Sequence, residues 1–145
     1  MLTVYTNHHS NHIQKIFINI TICLLLALLG ACSTTYDKTD KLHSSLKGYE
    51  KALRWAKFEA AYSFHKWDEK EQPSIPKHLK DIRLTKYEVR NRIFDEKTMT
   101  AKQTVAISYY NTGNLREKSL EDKQRWKYFP DKERWYLMSK PPSFE

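Results

Sequence analysis

The sequence is poor in cysteine and in glycine. Its two cysteines are Cys23 and Cys32, and no cysteine follows residue 32. The chain beyond that point therefore cannot form a disulfide, supply a cysteine nucleophile or build a cysteine-based zinc site. With only three glycines, the chain also has no glycine-rich phosphate loop, dinucleotide fingerprint or nucleophile elbow. We therefore predict no cofactor.

The N-terminal apolar run is too short to cross a membrane comfortably. Residues 16–29 are apolar apart from Asn19 and Thr21, whereas a membrane-spanning helix needs about 20 residues. The run instead has the length of the apolar region in a secretory signal peptide. It ends in the tetrapeptide Leu29-Gly30-Ala31-Cys32.

This segment resembles the signals of bacterial lipoproteins, in which a leucine and small residues direct cleavage just before a lipid-modified cysteine. The resemblance implies a signal peptide over residues 1–31, cleavage between Ala31 and Cys32, and palmitate on Cys32. By the sorting rule of enteric bacteria, Ser33 in place of Asp implies the periplasmic face of the outer membrane. The inner membrane is the alternative. The other interpretation of the residues is an ordinary buried cysteine at the end of an apolar helix.

The rest of the chain has the composition of a folded domain. Residues 32–40 are polar and predict a tether, and residues 41–145 predict a single domain rich in aromatic side chains, which argues against disorder. Lys15 is the only charged residue before residue 32, so the remainder carries +7 of the chain's net charge of +8. Interleaved acids and bases predict a solvated, mixed-charge surface. The sharper alternative is weak attraction to anionic headgroups or other polyanions. No clustered basic stripe indicates a nucleic-acid partner.

The apolar pattern predicts helical structure first. Residues 40–66 repeat apolar side chains at steps of three and four, with Asp40 as a plausible N-cap. One long helix and two helices joined at residues 54–58 both fit, because no glycine or proline forces a break there. A second apolar set widens the stripe and predicts packing on two sides: Ala52, Trp55, Phe58 and Tyr62.

After a charged connection over residues 66–81, the apolar period changes to two, which predicts about four antiparallel strands. A change of phase near Thr85 or Lys86 indicates a bulge. Turns are predicted at residues 94–97, 111–114 and 130–132. Helical structure followed by a meander of strands predicts an α+β domain, with the helical element packed on one face of a curved antiparallel sheet.

This order of elements, with Leu53-Arg54-Trp55-Ala56-Lys57-Phe58-Glu59-Ala60-Ala61 before the strands and Arg134-Trp135-Tyr136-Leu137 at the end, resembles the cystatin-like, or nuclear-transport-factor-two-like, superfamily. More narrowly, it looks like a group of uncharacterised proteobacterial lipoproteins of that shape. The resemblance covers roughly residues 42–144. It implies a pocket that in some members binds small apolar ligands and in others holds an Asp or His as a base. Many members have Gly-Asp at the helix joint, where this chain has Ala56-Lys57.

The histidines of the predicted domain are candidate chemical groups. His65 near Asp68 fits a general base with its orienting carboxylate. We favour the alternative of a solvated histidine at a helix C-terminus, where positive charge is favourable. His43 lies in a first helical turn and His78 in the connection. Neither has metal-ligand spacing with another histidine, so we predict no metal site.

Four aromatic side chains are predicted to cluster on adjacent strands: Trp126, Tyr128, Trp135 and Tyr136. Aromatic faces can stack on a flat ligand, but cross-strand aromatic pairs commonly stabilise a sheet. We therefore favour a core role for the cluster.

These features favour a non-enzymatic interaction module of the cell envelope, anchored to the membrane through its N-terminal lipid, with an envelope protein or other envelope component as its partner. A pocket protein for a small apolar or lipid ligand is the second hypothesis, and an enzyme with a His/Asp base is the third. A pocket protein should contain a closed apolar cavity of several hundred Å³. An interaction module should have a filled core and an exposed apolar or aromatic patch.

Overall fold

The predicted α+β class is confirmed. The computed structural model describes residues 31–67 and 74–145, in which two helices precede a four-stranded antiparallel sheet whose spatial order equals its chain order. The elements are α1 (Ala31–Arg54), α2 (Phe58–Tyr62), β1 (Ile82–Asp95), β2 (Thr100–Asn111), β3 (Glu117–Phe129) and β4 (Arg134–Leu137). Residues Lys41–Glu145 form one compact unit, and the part of α1 before Lys41 belongs to a second one.

Helix α1 buries one stripe of side chains against the sheet. Its apolar positions recur at steps of three and four, so they share one face of the helix. The buried members are Leu42, Leu46, Tyr49, Ala52 and Leu53. The prediction that Asp40 caps this helix is wrong, because α1 already includes residues 31–39. That stretch contains no glycine or proline that would delay the helix start.

The joint at residues 54–58 resolves the open choice in favour of two helices. The amide of Lys57 donates to the carbonyl of Ala52 (2.8 Å), and the amide of Ala56 donates to that of Leu53 (3.0 Å). These two bonds are those of a Schellman motif, in which the residue after the cap adopts the left-handed conformation. Ala56 does so with φ 52°. Trp55, which we predicted in the second apolar stripe, is instead 70% exposed.

Strands β2 and β3 follow the predicted alternation, whereas Val89 and Ile93 of β1 are exposed. The predicted bulge in β1 is confirmed. The pairing of β1 with β2 shifts register between Leu84 and Lys86, and again between Val89 and Asn91. The second shift was not predicted. The first turn occupies residues 96–99, two positions later than predicted, whereas turns at residues 112–114 and 130–132 lie where we expected them.

One core cluster joins the helices to the inner face of the sheet. Trp126 of β3 and Trp135 of β4 are fully buried in it, and Tyr49 of α1 packs edge-on against Trp126 at 5.8 Å between ring centroids. Edge-to-face aromatic pairs add about 0.5–1.5 kcal/mol beyond the burial of their area. The sheet therefore has a mainly apolar inner face below α1 and a polar outer face.

Ala56→Gly is expected to stabilise the domain. A non-glycine residue in the left-handed region costs about 1–2 kcal/mol. Glycine removes this cost, but its greater flexibility in the unfolded chain cancels part of the stabilisation. We expect the free energy of unfolding to rise by about 0.5–1 kcal/mol in urea denaturation. The control Ala60→Gly, inside α2, should lower it. A loss of stability in Ala56→Gly would contradict this account of the joint.

Candidate functional site

His65 is buried, and the prediction that it lies in water is wrong. Only 4% of its surface is exposed. It follows α2 and forms a parallel bridge with Leu137 at the end of β4. On either side of it, the amide of Leu137 donates to the carbonyl of Phe64 (2.8 Å) and the amide of Lys66 donates to the carbonyl of Leu137 (3.0 Å). This pairing draws the histidine into the core.

The ring nitrogens of His65 both face groups inside the domain. Nδ1 lies 2.9 Å from the carbonyl oxygen of Ser139, and Nε2 lies 3.5 Å from the hydroxyl of Tyr49. A carbonyl only accepts, so Nδ1 carries the proton and Nε2 is left to accept from Tyr49. The ring stacks on Trp67 at 5.2 Å. Burial lowers the pKa of His65, and the hydrogen bond to Ser139 partly opposes that shift.

The other sequence candidates are dispersed. Asp68, the predicted partner of His65, lies outside the described residues. His43 lines a cavity of about 170 Å³ between α1 and β1. His78 lies in a 3-10 helix, and its Nε2 donates to the carbonyl of Phe144 at 3.0 Å. Within residues 31–67 and 74–145, no three His, Cys, Asp or Glu side chains are grouped so that they could hold a metal ion.

A hydrogen-bonded network on the inner face of the sheet was not predicted. Gln124 lies at its centre and uses its full capacity of two donors and two acceptor positions. Its Nε2 donates to Tyr87 Oη (2.9 Å) and to Asp122 Oδ2 (2.7 Å), while its Oε1 accepts from Gln103 Nε2 (2.6 Å) and Trp126 Nε1 (3.1 Å). A network satisfied in this way fixes the register of β2 against β3.

Asp122 is the charged member of that network. It is 5% exposed, and burial raises its pKa to about 6, against the opposing hydrogen bond from Gln124. Burial of Tyr49 itself, and after that the nearby Asp122 carboxylate, raises the pKa of Tyr49. Asp122 shares the alternating phase of Leu120, Gln124 and Trp126, so the strand pattern could have identified it as buried.

The outer face of the sheet carries a cavity of about 390 Å³, which we call the outer-face cavity. It crosses three strands, and its lining includes Asn91 and Ile93 of β1, Lys102 and Thr104 of β2, Lys123 and Arg125 of β3, and Ser139. The hydroxyl of Ser139 accepts a hydrogen bond from the Arg125 amide at 3.4 Å. Three cationic side chains therefore border one concave surface.

The predicted aromatic cluster divides between the two faces of the sheet. Trp126, Tyr128 and Trp135 are buried, with Tyr128 and Trp135 paired across β3 and β4. Tyr136 lies on the outer face, where it packs edge-on against Phe129 and the Arg134 guanidinium lies 5.2 Å from its ring centroid. The core role that we favoured holds for the first three.

A larger, open groove lies beside the C-terminal residues. Its volume is about 620 Å³, and Tyr62, Trp67, Leu79 and Phe144 form apolar parts of its lining, with Lys140 and His78 as polar ones. Its size falls within the range of small-molecule sites, but it is a surface groove and not the closed cavity that a buried ligand needs.

Comparison of the chain with models of protein families, with curated proteins and with solved structures finds no match. The resemblance to lipoprotein signals and to the cystatin-like superfamily therefore stays a prediction. In the described part of the chain, no helix combines the length and the apolar character needed to span a bilayer.

Asp122→Asn is expected to remove a pH-dependent loss of stability. The folded state binds the Asp122 proton more tightly than the unfolded chain, so stability falls as the pH rises from about 4 through about 6. The full effect, reached above pH 6, is about 3 kcal/mol, from a shift of the pKa from 3.8 to about 6. The amide can still accept from Gln124.

The measurement is urea denaturation of both proteins between pH 4 and 8. The difference in free energy of unfolding between Asp122→Asn and wild type should grow from about pH 4 to about pH 6 and then stay constant up to pH 8. Glu121→Gln, next along β3 but exposed on the outer face, is the control and should show no comparable trend. A constant difference at all pH values would show that Asp122 ionises without penalty.

Proposed function

We propose that this chain is a bacterial lipoprotein held at the periplasmic face of the outer membrane by lipid on Cys32, and that its domain is a non-enzymatic interaction module of the cell envelope. The observation that carries the proposal is the order of features at the N-terminus. An apolar run of signal-peptide length is followed at once by Leu29-Gly30-Ala31-Cys32.

The domain supports an interaction role through its packing and its surface. Its inner face is packed by an apolar cluster and by the hydrogen-bonded network of Gln124, and the histidine that we considered as a base is buried there. A general base must reach the proton that it removes, and both nitrogens of His65 face internal groups instead. The outer-face cavity offers a surface for a partner, because Ile93 is 59% exposed there beside cationic side chains.

A second candidate function is the binding of a small apolar ligand, and the groove beside Phe144 favours it. Trp67 and Phe144 lie on this groove. An apolar ligand there should change the tryptophan fluorescence. Phe144→Ala should weaken that response and leave lipid attachment at Cys32 unchanged. Absence of any response to a panel of fatty acids would remove this candidate.

Cys32→Ala is expected to abolish lipid attachment. In cells given radiolabelled palmitate, the wild-type protein should carry label and sediment with membranes, whereas the variant should carry none and stay in the soluble fraction. Its melting temperature should not change, because residue 32 precedes the compact unit Lys41–Glu145. Chemical crosslinking of wild-type envelopes, read by mass spectrometry, then names the neighbouring components.

Cys23→Ala provides the matched control. This cysteine lies inside the apolar run, so its replacement should leave both label and membrane attachment intact. Palmitate on the Cys32→Ala protein, or a mature chain that still begins at Met1, would overturn the proposal.

A further inference from the structure

Two cations face each other across β2 and β3 on the outer face of the sheet. Lys102 and Arg125 are directly paired residues of the antiparallel ladder, both are exposed, and both line the outer-face cavity. Like charges directly opposite each other destabilise a sheet. A nearby acid or an external anion would offset this repulsion.

The protein supplies no acid for this pair among the described residues. Lys123, also on the cavity, pairs with Glu121 at 3.4 Å. In the described ranges, neither Lys102 nor Arg125 forms an ion pair with a carboxylate. Glu88 is paired with Lys86 and Arg90. Among the described residues, the cavity therefore presents two positive charges, those of Lys102 and Arg125, that no ion pair compensates.

Another acid near this end of the sheet is engaged by its own turn. Oδ1 of Asp95 accepts from the amides of Lys97 (3.0 Å) and Thr98 (3.3 Å). A side-chain hydrogen bond from Thr98, together with these two amides, lowers the pKa of Asp95 and holds its carboxylate on the 96–99 turn. The acid is thereby committed to the β1–β2 connection and does not neutralise the Lys102–Arg125 pair.

We propose that the outer-face cavity binds a phosphate monoester. A phosphate monoester carries about −1.5 to −2 charges near neutral pH, which matches the uncompensated pair. A guanidinium binds phosphate through a planar fork, and a lysine binds it as a point charge. Thr104 and Asn91 supply hydroxyl and amide groups on the same cavity, which can donate to the phosphate oxygens.

The wall of the cavity is tied to the core. Ser139 accepts from the Arg125 amide through its hydroxyl, and from His65 Nδ1 through its carbonyl oxygen. His65 thus acts as a positioning residue that fixes the segment after β4 against β3. A site held in this way loses less conformational freedom when its ligand binds.

The inference does not depend on lipid at Cys32, because every residue of the cavity lies in the compact unit Lys41–Glu145. Failure of lipid labelling would therefore leave it standing, and failure of phosphate binding would leave the lipoprotein proposal standing. A soluble sugar phosphate and the exposed monoester of a phosphatidic acid headgroup share the required chemistry.

The experiment titrates the full chain, purified in neutral detergent, with glucose 6-phosphate, with glucose and with inorganic phosphate by calorimetry. We expect glucose 6-phosphate to bind and glucose not to bind. Flotation with vesicles containing phosphatidic acid or phosphatidylglycerol then separates the two sources. Binding to phosphatidic acid that glucose 6-phosphate displaces identifies the headgroup, and binding of the sugar phosphate alone identifies a soluble ligand. The proposal is overturned if neither glucose 6-phosphate nor phosphatidic acid binds, or if the two vesicle types bind equally.

Lys102→Glu distinguishes a ligand-binding role of Lys102 from a purely structural one. The variant places opposite charges across the ladder, so it should melt at a higher temperature than wild type, yet bind glucose 6-phosphate at least about ten-fold more weakly. Lys51→Glu on α1, also exposed, makes the same change in net charge and should leave affinity unchanged. Equal loss in both variants would overturn the site. Arg125→Gln provides a second cavity variant, expected to weaken binding with the fold intact.

Discussion

The packing of Tyr49, on the buried face of helix α1, holds the domain together. Its ring is fully buried and meets Trp126 of β3, Phe64 and His65 edge-on, with centroid separations of 5.7–5.9 Å. One side chain therefore joins the helix, the segment after α2 and the centre of the sheet. Its hydroxyl has to find a partner in that apolar setting, because an unpaired buried hydroxyl is costly. The Nε2 atom of His65 supplies it, and this explains why the histidine is buried instead of solvated.

A second layer of polar contacts extends from that core across the sheet. Gln124 and Gln103 join β2 to β3, Tyr87 adds β1, and Arg92 Nε donates to Gln103 Oε1 at 2.9 Å. Asp122 ends this chain of contacts as a buried carboxyl, and its charge is the electrostatic cost of the arrangement. On the opposite face, the same strands present Lys102 and Arg125 as a like-charge pair. The sheet thus has an electrostatically unfavourable feature on each face. The buried Asp122 lies on β3, and the exposed cation pair joins β2 to β3.

Local patterns in the sequence predicted much of this fold. The steps of three and four in α1, the alternation in β2 and β3, and the phase change at Thr85 are each set by neighbours within a few residues. The αL residue at Ala56 was not predicted, because glycine is the usual residue in that conformation. The burial of His65 depends on Ser139, which is 74 residues away in the chain. The Lys102–Arg125 pair exists only through the register of two strands, which composition and spacing do not contain.

The two edges of the sheet differ in a way that bears on association between copies. At the β4 edge, residues 64–66 pair with Leu137 and occupy its backbone groups. Strand β1 forms the opposite edge, and its two register shifts interrupt its regular spacing beside charged side chains such as Lys86 and Arg90. Bulges and charges at an edge discourage another strand from adding to it. The irregularity of β1 thereby protects a long strand from joining neighbouring molecules into a continuous, insoluble sheet.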